Sequence, residues 1–77
     1  MPGYLIKRRL FDLQKSQVEL RLAINAMKLP YKDRVLTVSG SEMSNLVNDR
    51  ENEPKYEALH KAADIILTEW EGQKCRN

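Results

Sequence analysis

The sequence predicts an all-α fold, a small domain of four helices with a long connection between the second and the third. Three observations predict it. Apolar residues recur three and four apart through most of the chain, the spacing of one helical face. Glycine and proline are scarce, three of each in 77 residues, and no Asn-Gly or Asp-Gly hairpin dipeptide occurs. Two Ser-x-x-Glu sequences, Ser16–Glu19 and Ser39–Glu42, have the form of capping boxes that open helices.

The first helix is expected from about Tyr4 to Leu13. Ile6, Leu10 and Leu13 share one face, and the basic cluster Lys7-Arg8-Arg9 takes another. The second helix opens at Ser16 and carries Leu20, Ile24 and Met27 at helical spacing. Pro30 prevents its continuation, because a proline ring has no N–H and clashes with the preceding turn. Residues 28–38 form the long connection. Val35, Thr37 and Val38 give it extended character, and Leu29, Tyr31, Val35 and Leu36 are expected to pin it to the core. The third helix opens at Ser39 with Met43, Leu46 and Val47 inward, and ends near Asn48-Asp49. The polar segment Arg50-Glu51-Asn52-Glu53 reads as a loop. The fourth helix starts near Pro54 and runs to about Trp70, with Gly72 as a stop signal. Its buried stripe is Ala58, Leu59, Ala62, Ala63, Ile66 and Trp70, widened by Ile65 and Leu67. The expected organisation is one domain over residues 1–72 and a polar tail, 73–77.

Composition narrows the function. A chain that is 42% hydrophobic and 31% charged folds rather than staying disordered. The lone cysteine, Cys75, and the lone histidine, His60, make neither an internal disulfide nor an ordinary zinc site, so neither metal nor cofactor is expected. No apolar run reaches the roughly 20 residues of a membrane span, and no cleavable leader pattern opens the chain, so a cytoplasmic location is expected. The sequence has no paired carboxylates in an apolar setting, no Cys/His pair and no glycine-rich phosphate loop, so an enzyme is not expected. The net charge of +2 is uneven. Residues 1–48 carry eight Lys/Arg against four Asp/Glu, a net of +4, and residues 49–77 carry five against seven, a net of −2. The first half is the half suited to a polyanion.

Two short serine-capped helices followed by a polar loop and an apolar helix have the layout of a helix-turn-helix domain. The outward positions of the third helix are small and polar, as a helix in a major groove requires. Three stretches carry a closer resemblance: Ile6-Lys7-Arg8-Arg9-Leu10-Phe11, Ser16-Gln17-Val18-Glu19-Leu20, and Val38 through Arg50. Together they resemble the Cro/repressor-type (XRE-like) helix-turn-helix family, with a lambda-repressor-like fold. The resemblance covers most of residues 5–67, and small regulators of phages and integrated elements are the nearest type.

The resemblance implies a double-stranded DNA-binding transcription regulator with its recognition helix at about Ser39–Asn48 in the major groove. By position, Gly40, Ser41, Ser44 and Asn45 would face base edges. Gln17, Ser39, Asn48, Arg50 and Lys15 would contact phosphates. Lys7 and Arg8 could add contacts, and Lys32 and Arg34 leave room for another on the connection. A homodimer through the helix Pro54–Trp70 is expected, since two copies double the sequence read. The chain departs from the family in a connection about ten residues longer, in Asp49 where a glycine is usual, and in Gly40 at a reading position. The alternative reading is a small helical protein-interaction module, an antirepressor or an inhibitor of a host protein. Salt dependence separates the two, because phosphate contacts weaken steeply with salt and apolar interfaces do not.

Overall fold

The computed structural model describes residues 2–50 and 53–75. Glu51 and Asn52 of the predicted loop, and Arg76 and Asn77 of the predicted tail, lie outside them. The described residues are mostly helical: α1 (Gly3–Leu13), α2 (Gln17–Met27), α3 (Gly40–Val47) and α4 (Pro54–Cys75), with a short hairpin of β1 (Pro30–Tyr31) and β2 (Arg34–Val35) between α2 and α3. No described helix is long and apolar enough to cross a membrane.

Helical spacing sorts most of the core, and Leu36 and Val38 of the connection complete it. Ile6 and Leu10 of α1, Leu20 and Ile24 of α2, and Met43, Leu46 and Val47 of α3 are buried together. Tyr56, Leu59, Ala62, Ala63, Ile66 and Leu67 of α4 close the core, and Leu13, Met27 and Trp70 pack at its edge. Two expected core residues are not there. Ile65 falls on the outer face of α4 and Val35 on the solvent side of the hairpin, and both are about half exposed. In each case a neighbour in the chain, Ile66 or Leu36, takes the buried position instead.

The connection is an antiparallel hairpin in which Tyr31 pairs with Arg34 and Pro30 with Val35. Its two-residue loop has Lys32 in the left-handed region at φ 55. Such loops usually announce themselves by glycine or asparagine, and here neither is present. The base is fixed from α2: the Asn25 amide donates to the Val38 carbonyl at 3.1 Å and accepts the Val38 N–H at 2.8 Å.

Helix ends also depart from the sequence expectation. The box at Ser39 is complete, with Ser39 Oγ accepting the Glu42 N–H at 3.2 Å and Glu42 Oε1 accepting the Ser39 N–H at 3.0 Å. At Ser16 only the first half forms: Ser16 Oγ accepts the Glu19 N–H, while the Glu19 carboxylate meets the Ser16 hydroxyl and Lys15 Nζ, each at 3.4 Å, in place of the Ser16 N–H. Helix α4 does not stop at Gly72 but continues to Cys75. Side chains on both sides of the glycine are held by α1. Arg9 takes Glu71 through Nε and Nη2 at 2.9 and 2.7 Å, and Lys74 Nζ donates to the Asp12 carbonyl at 2.6 Å.

Candidate nucleic-acid interface

With Met43, Leu46 and Val47 turned inward, the 3.6-residue period leaves Ser41, Ser44 and Asn45 outward on α3, and Asn48, the residue that caps its end, continues the stripe. All four are uncharged donors and acceptors. Ser41 and Asn48 are exposed, and Ser44 and Asn45 half-buried. Gly40, at the first position of the helix, has open space where a side chain would stand.

The two edges of the stripe meet different neighbours. On one edge Asn48 Oδ1 accepts from Lys7 Nζ of α1 at 2.6 Å, and its amide donates to the Ser44 carbonyl at 2.8 Å. On the other edge Asn45 reaches the Tyr56 hydroxyl of α4 at 3.4 Å, and Glu42 pairs with Lys55 at 2.6 Å. Burial by itself would raise the Glu42 pKa. The Lys55 ammonium and the Ser39 N–H outweigh it, so the carboxylate is held below its ordinary range. Lys55 is thereby partly neutralised, whereas Lys7 faces only an amide oxygen on this edge.

Lys7 links the stripe to a second feature. An open groove of about 330 Å³ between α1 and the start of α2 is lined by Lys7, Leu10, Phe11, Lys15, Ser16 and Gln17. Three sequence candidates, Lys7, Lys15 and Gln17, are therefore neighbours, and through Lys7 they border Asn48. Gln17 is exposed at the first turn of α2. Lys15 also lies 5.2 Å above the Trp70 ring, which covers one side of that half-buried indole. Arg50 is exposed just beyond α3. Arg8 is exposed on α1 and paired with Asp12 at 3.4 Å. Lys32 and Arg34 are exposed on the hairpin between α2 and α3.

The basic cluster Lys7-Arg8-Arg9 is split three ways, because successive helical residues point about 100° apart. Lys7 turns to α3 and Arg8 to solvent. Arg9 turns to α4, where Glu71, Asp64 and Thr68 hold its guanidinium. The Glu71 bonds, reduced by desolvation and joined by Asp64, raise its already high pKa further, so Arg9 is a structural cation.

Asp49 has a role the sequence did not reveal. It occupies the left-handed position after α3 at φ 54, and the next N–H, of Arg50, bonds back to the Asn45 carbonyl at 3.0 Å. Glycine usually fills this position in a helix-ending motif. Here the Asp49 carboxylate accepts the Gly3 N–H at 2.9 and 3.0 Å, capping α1 from 46 residues away. The carboxylate is turned to the end of a helix, where its charge meets the positive end of the dipole. Phe11 lies off the Ile6–Leu10–Leu13 face and is 80% exposed. No protein family, curated protein or solved structure matches this chain.

Proposed function

We propose that this protein is a sequence-specific double-stranded DNA-binding regulator of the helix-turn-helix type, with α3 as the helix that enters the major groove. The observation that carries this reading is the outward stripe of α3, made only of serine and asparagine and bordered by Lys7. A major groove presents base-edge donors and acceptors between two rows of phosphates. A reader needs neutral hydrogen-bonding side chains in the middle and cations beside them. An eight-residue helix is about 12 Å long, similar to the width of the groove. Asn45 is the strongest base reader, because its amide pairs in two directions with adenine. Gly40, without a side chain, lets the start of α3 come close to the DNA. Gln17, Lys15, Ser39, Asn48 and Arg50 contact phosphates, as the helix-turn-helix resemblance implies, and Lys7 adds a further contact beside them.

Regulation of a phage or mobile element follows from that resemblance. Two copies paired through α4 would cover Ile65 on its outer face and read a palindromic site. The test is fluorescence anisotropy against DNA from the protein's own upstream region, with a scrambled duplex as control, at about 50 and about 200 mM salt. Tight, salt-sensitive binding that prefers the upstream duplex is the expected result. Gln17→Ala and Asn45→Ala each weaken it with helicity unchanged. Unchanged binding in both variants would remove these residue assignments.

A specific observation favours the protein-interaction reading as the second choice. Tyr4 and Phe11 on α1, and Val18 and Leu22 on α2, are 54–80% exposed. That is a large apolar display for so small a domain. Binding to neither duplex, with capture of a protein partner that Phe11→Ser and Leu22→Ser abolish, would replace the DNA reading by this one.

A further inference from the structure

We propose that the β1–β2 hairpin is a basic wing, in which Lys32 and Arg34 hold the phosphate backbone beside the groove that α3 enters. This inference rests on the DNA-binding reading and deepens it, by assigning a source to the sequence-independent part of the binding. Residues 28–38 hold three cations against one acid, a net of +2, as much as the whole chain. Leu29, Tyr31, Leu36 and Val38 tie the segment to the core, and its tip gives the core nothing. Within its strands and loop nothing is buried, residues 32–35 are all exposed, and only Leu36 and Val38 beyond them go fully inward.

The hairpin is nevertheless tied at its base. Leu36 N–H donates to the Leu29 carbonyl at 2.6 Å, and Asn25 makes its two bonds to Val38. At the tip Lys32 sits at φ 55, where glycine would be less strained, and its ammonium lies 5.5 Å above the Tyr31 ring. An outward and basic element, tied at its base, is suited to a polyanion. Asp33 lies between the two cations, and the tip remains net positive.

Position makes the polyanion the same DNA. An open groove of about 390 Å³ separates the hairpin from Lys55, and Lys55 is bonded to Glu42 in the first turn of α3. The hairpin therefore borders the start of α3 on the α4 edge of the stripe, and Lys7 borders its end on the α1 edge. Arg34 and Ser39 are five residues apart, which limits their separation to about 18 Å. A helix in a groove about 12 Å wide has its bounding phosphates within that reach.

The experiment measures affinity against salt for a duplex bound by the unaltered protein. The double variant Lys32→Gln/Arg34→Gln is compared with Lys61→Gln, an exposed cation on the outer face of α4. Two lost phosphate contacts make the slope of log affinity against log salt shallower by about 2. The preference for upstream over scrambled DNA stays the same, and Lys61→Gln changes neither. Lys32→Gly serves as a second variant: it relaxes the left-handed backbone, so a slope shallower by about 1 cannot come from unfolding. A double-variant slope equal to that of the unaltered protein, with Asn45→Ala still losing its preference, overturns the wing and leaves the DNA reading standing. An unaltered protein that binds no duplex overturns both.

Discussion

Gly3 is buried where the start of α1 presses against the end of α3. A methyl group added there would lie 2.5 Å from the Leu46 carbonyl oxygen and 2.6 Å from that of Val47. Both are backbone atoms, so neither can turn aside. Gly3→Ala is expected to cost at least about 2 kcal/mol, the scale of overpacking a core. In a domain of this size that lowers the melting temperature by roughly 8 °C or more. Asp49, which caps the same N–H, accepts a left-handed backbone that costs most residues about 1 kcal/mol. Asp49→Asn keeps the tolerance for that backbone and removes the ionised acceptor. A loss of about 1 kcal/mol is expected, and a denaturant titration reads it. An unchanged midpoint would mean that the cap contributes nothing.

Among the elements, α4 best shows how neighbours set a helix end. Glycine in a helix interior costs up to about 1 kcal/mol relative to alanine. The bonds from Arg9 to Glu71 and from Lys74 to Asp12 carry the helix past Gly72 nonetheless. Arg9→Ala is expected to let residues 71–75 fray. Their amides then exchange with solvent at rates close to unprotected ones while the core amides stay protected. Helix α1 ends the opposite way, on Gln14 at φ 58, with the Lys15 N–H bonded to the Leu10 carbonyl at 2.9 Å. Glycine is the favoured residue in this motif. Gln14→Gly is therefore expected to stabilise the protein by up to about 1 kcal/mol, seen as a rise of a few degrees in melting temperature.

At the scale of the molecule, α4 is the spine. Its 22 residues span about 33 Å of a body 39 Å long, with α1 and α2 against it and α3 across one end. Three groups tied to this spine set how stability depends on pH. Burial lowers the His60 pKa from its ordinary 6.5, and Nδ1 has no hydrogen-bond partner among the described residues. The folded state thus disfavours the imidazolium, so this stability is present above pH 6.5 and is lost as pH falls below it. Glu71, held low first by its Arg9 hydrogen bonds, and Glu42, held low by Lys55 and Ser39 against its own desolvation, come next. Their contributions are present above the ordinary value of 4.5 and are lost as pH falls through their depressed folded values. Melting temperatures are expected to be level from pH 8 to 7, to fall below about 6.5, and to fall again below about 4.5. His60→Gln removes the upper step and leaves the lower one.

The sequence by itself determined the four helices, the face each one buries and the complete cap at Ser39. These follow from the 3.6-residue period and from bonds that close within three or four residues. The outward stripe of α3 was legible for the same reason, because Ser41, Ser44, Asn45 and Asn48 are what remains once Met43, Leu46 and Val47 face the core. Only the tertiary structure decided the rest. The hairpin turns on Lys32 and the ends of α1 and α3 on Gln14 and Asp49, so no glycine marked them. Asp49 faces α1 and Arg9 is spent on α4 through contacts 46 and 62 residues apart in the chain. Such pairs leave no periodic trace in the sequence. They exist because packing the helices brings distant charged and polar groups together, where leaving them unpaired would cost more than ordering them.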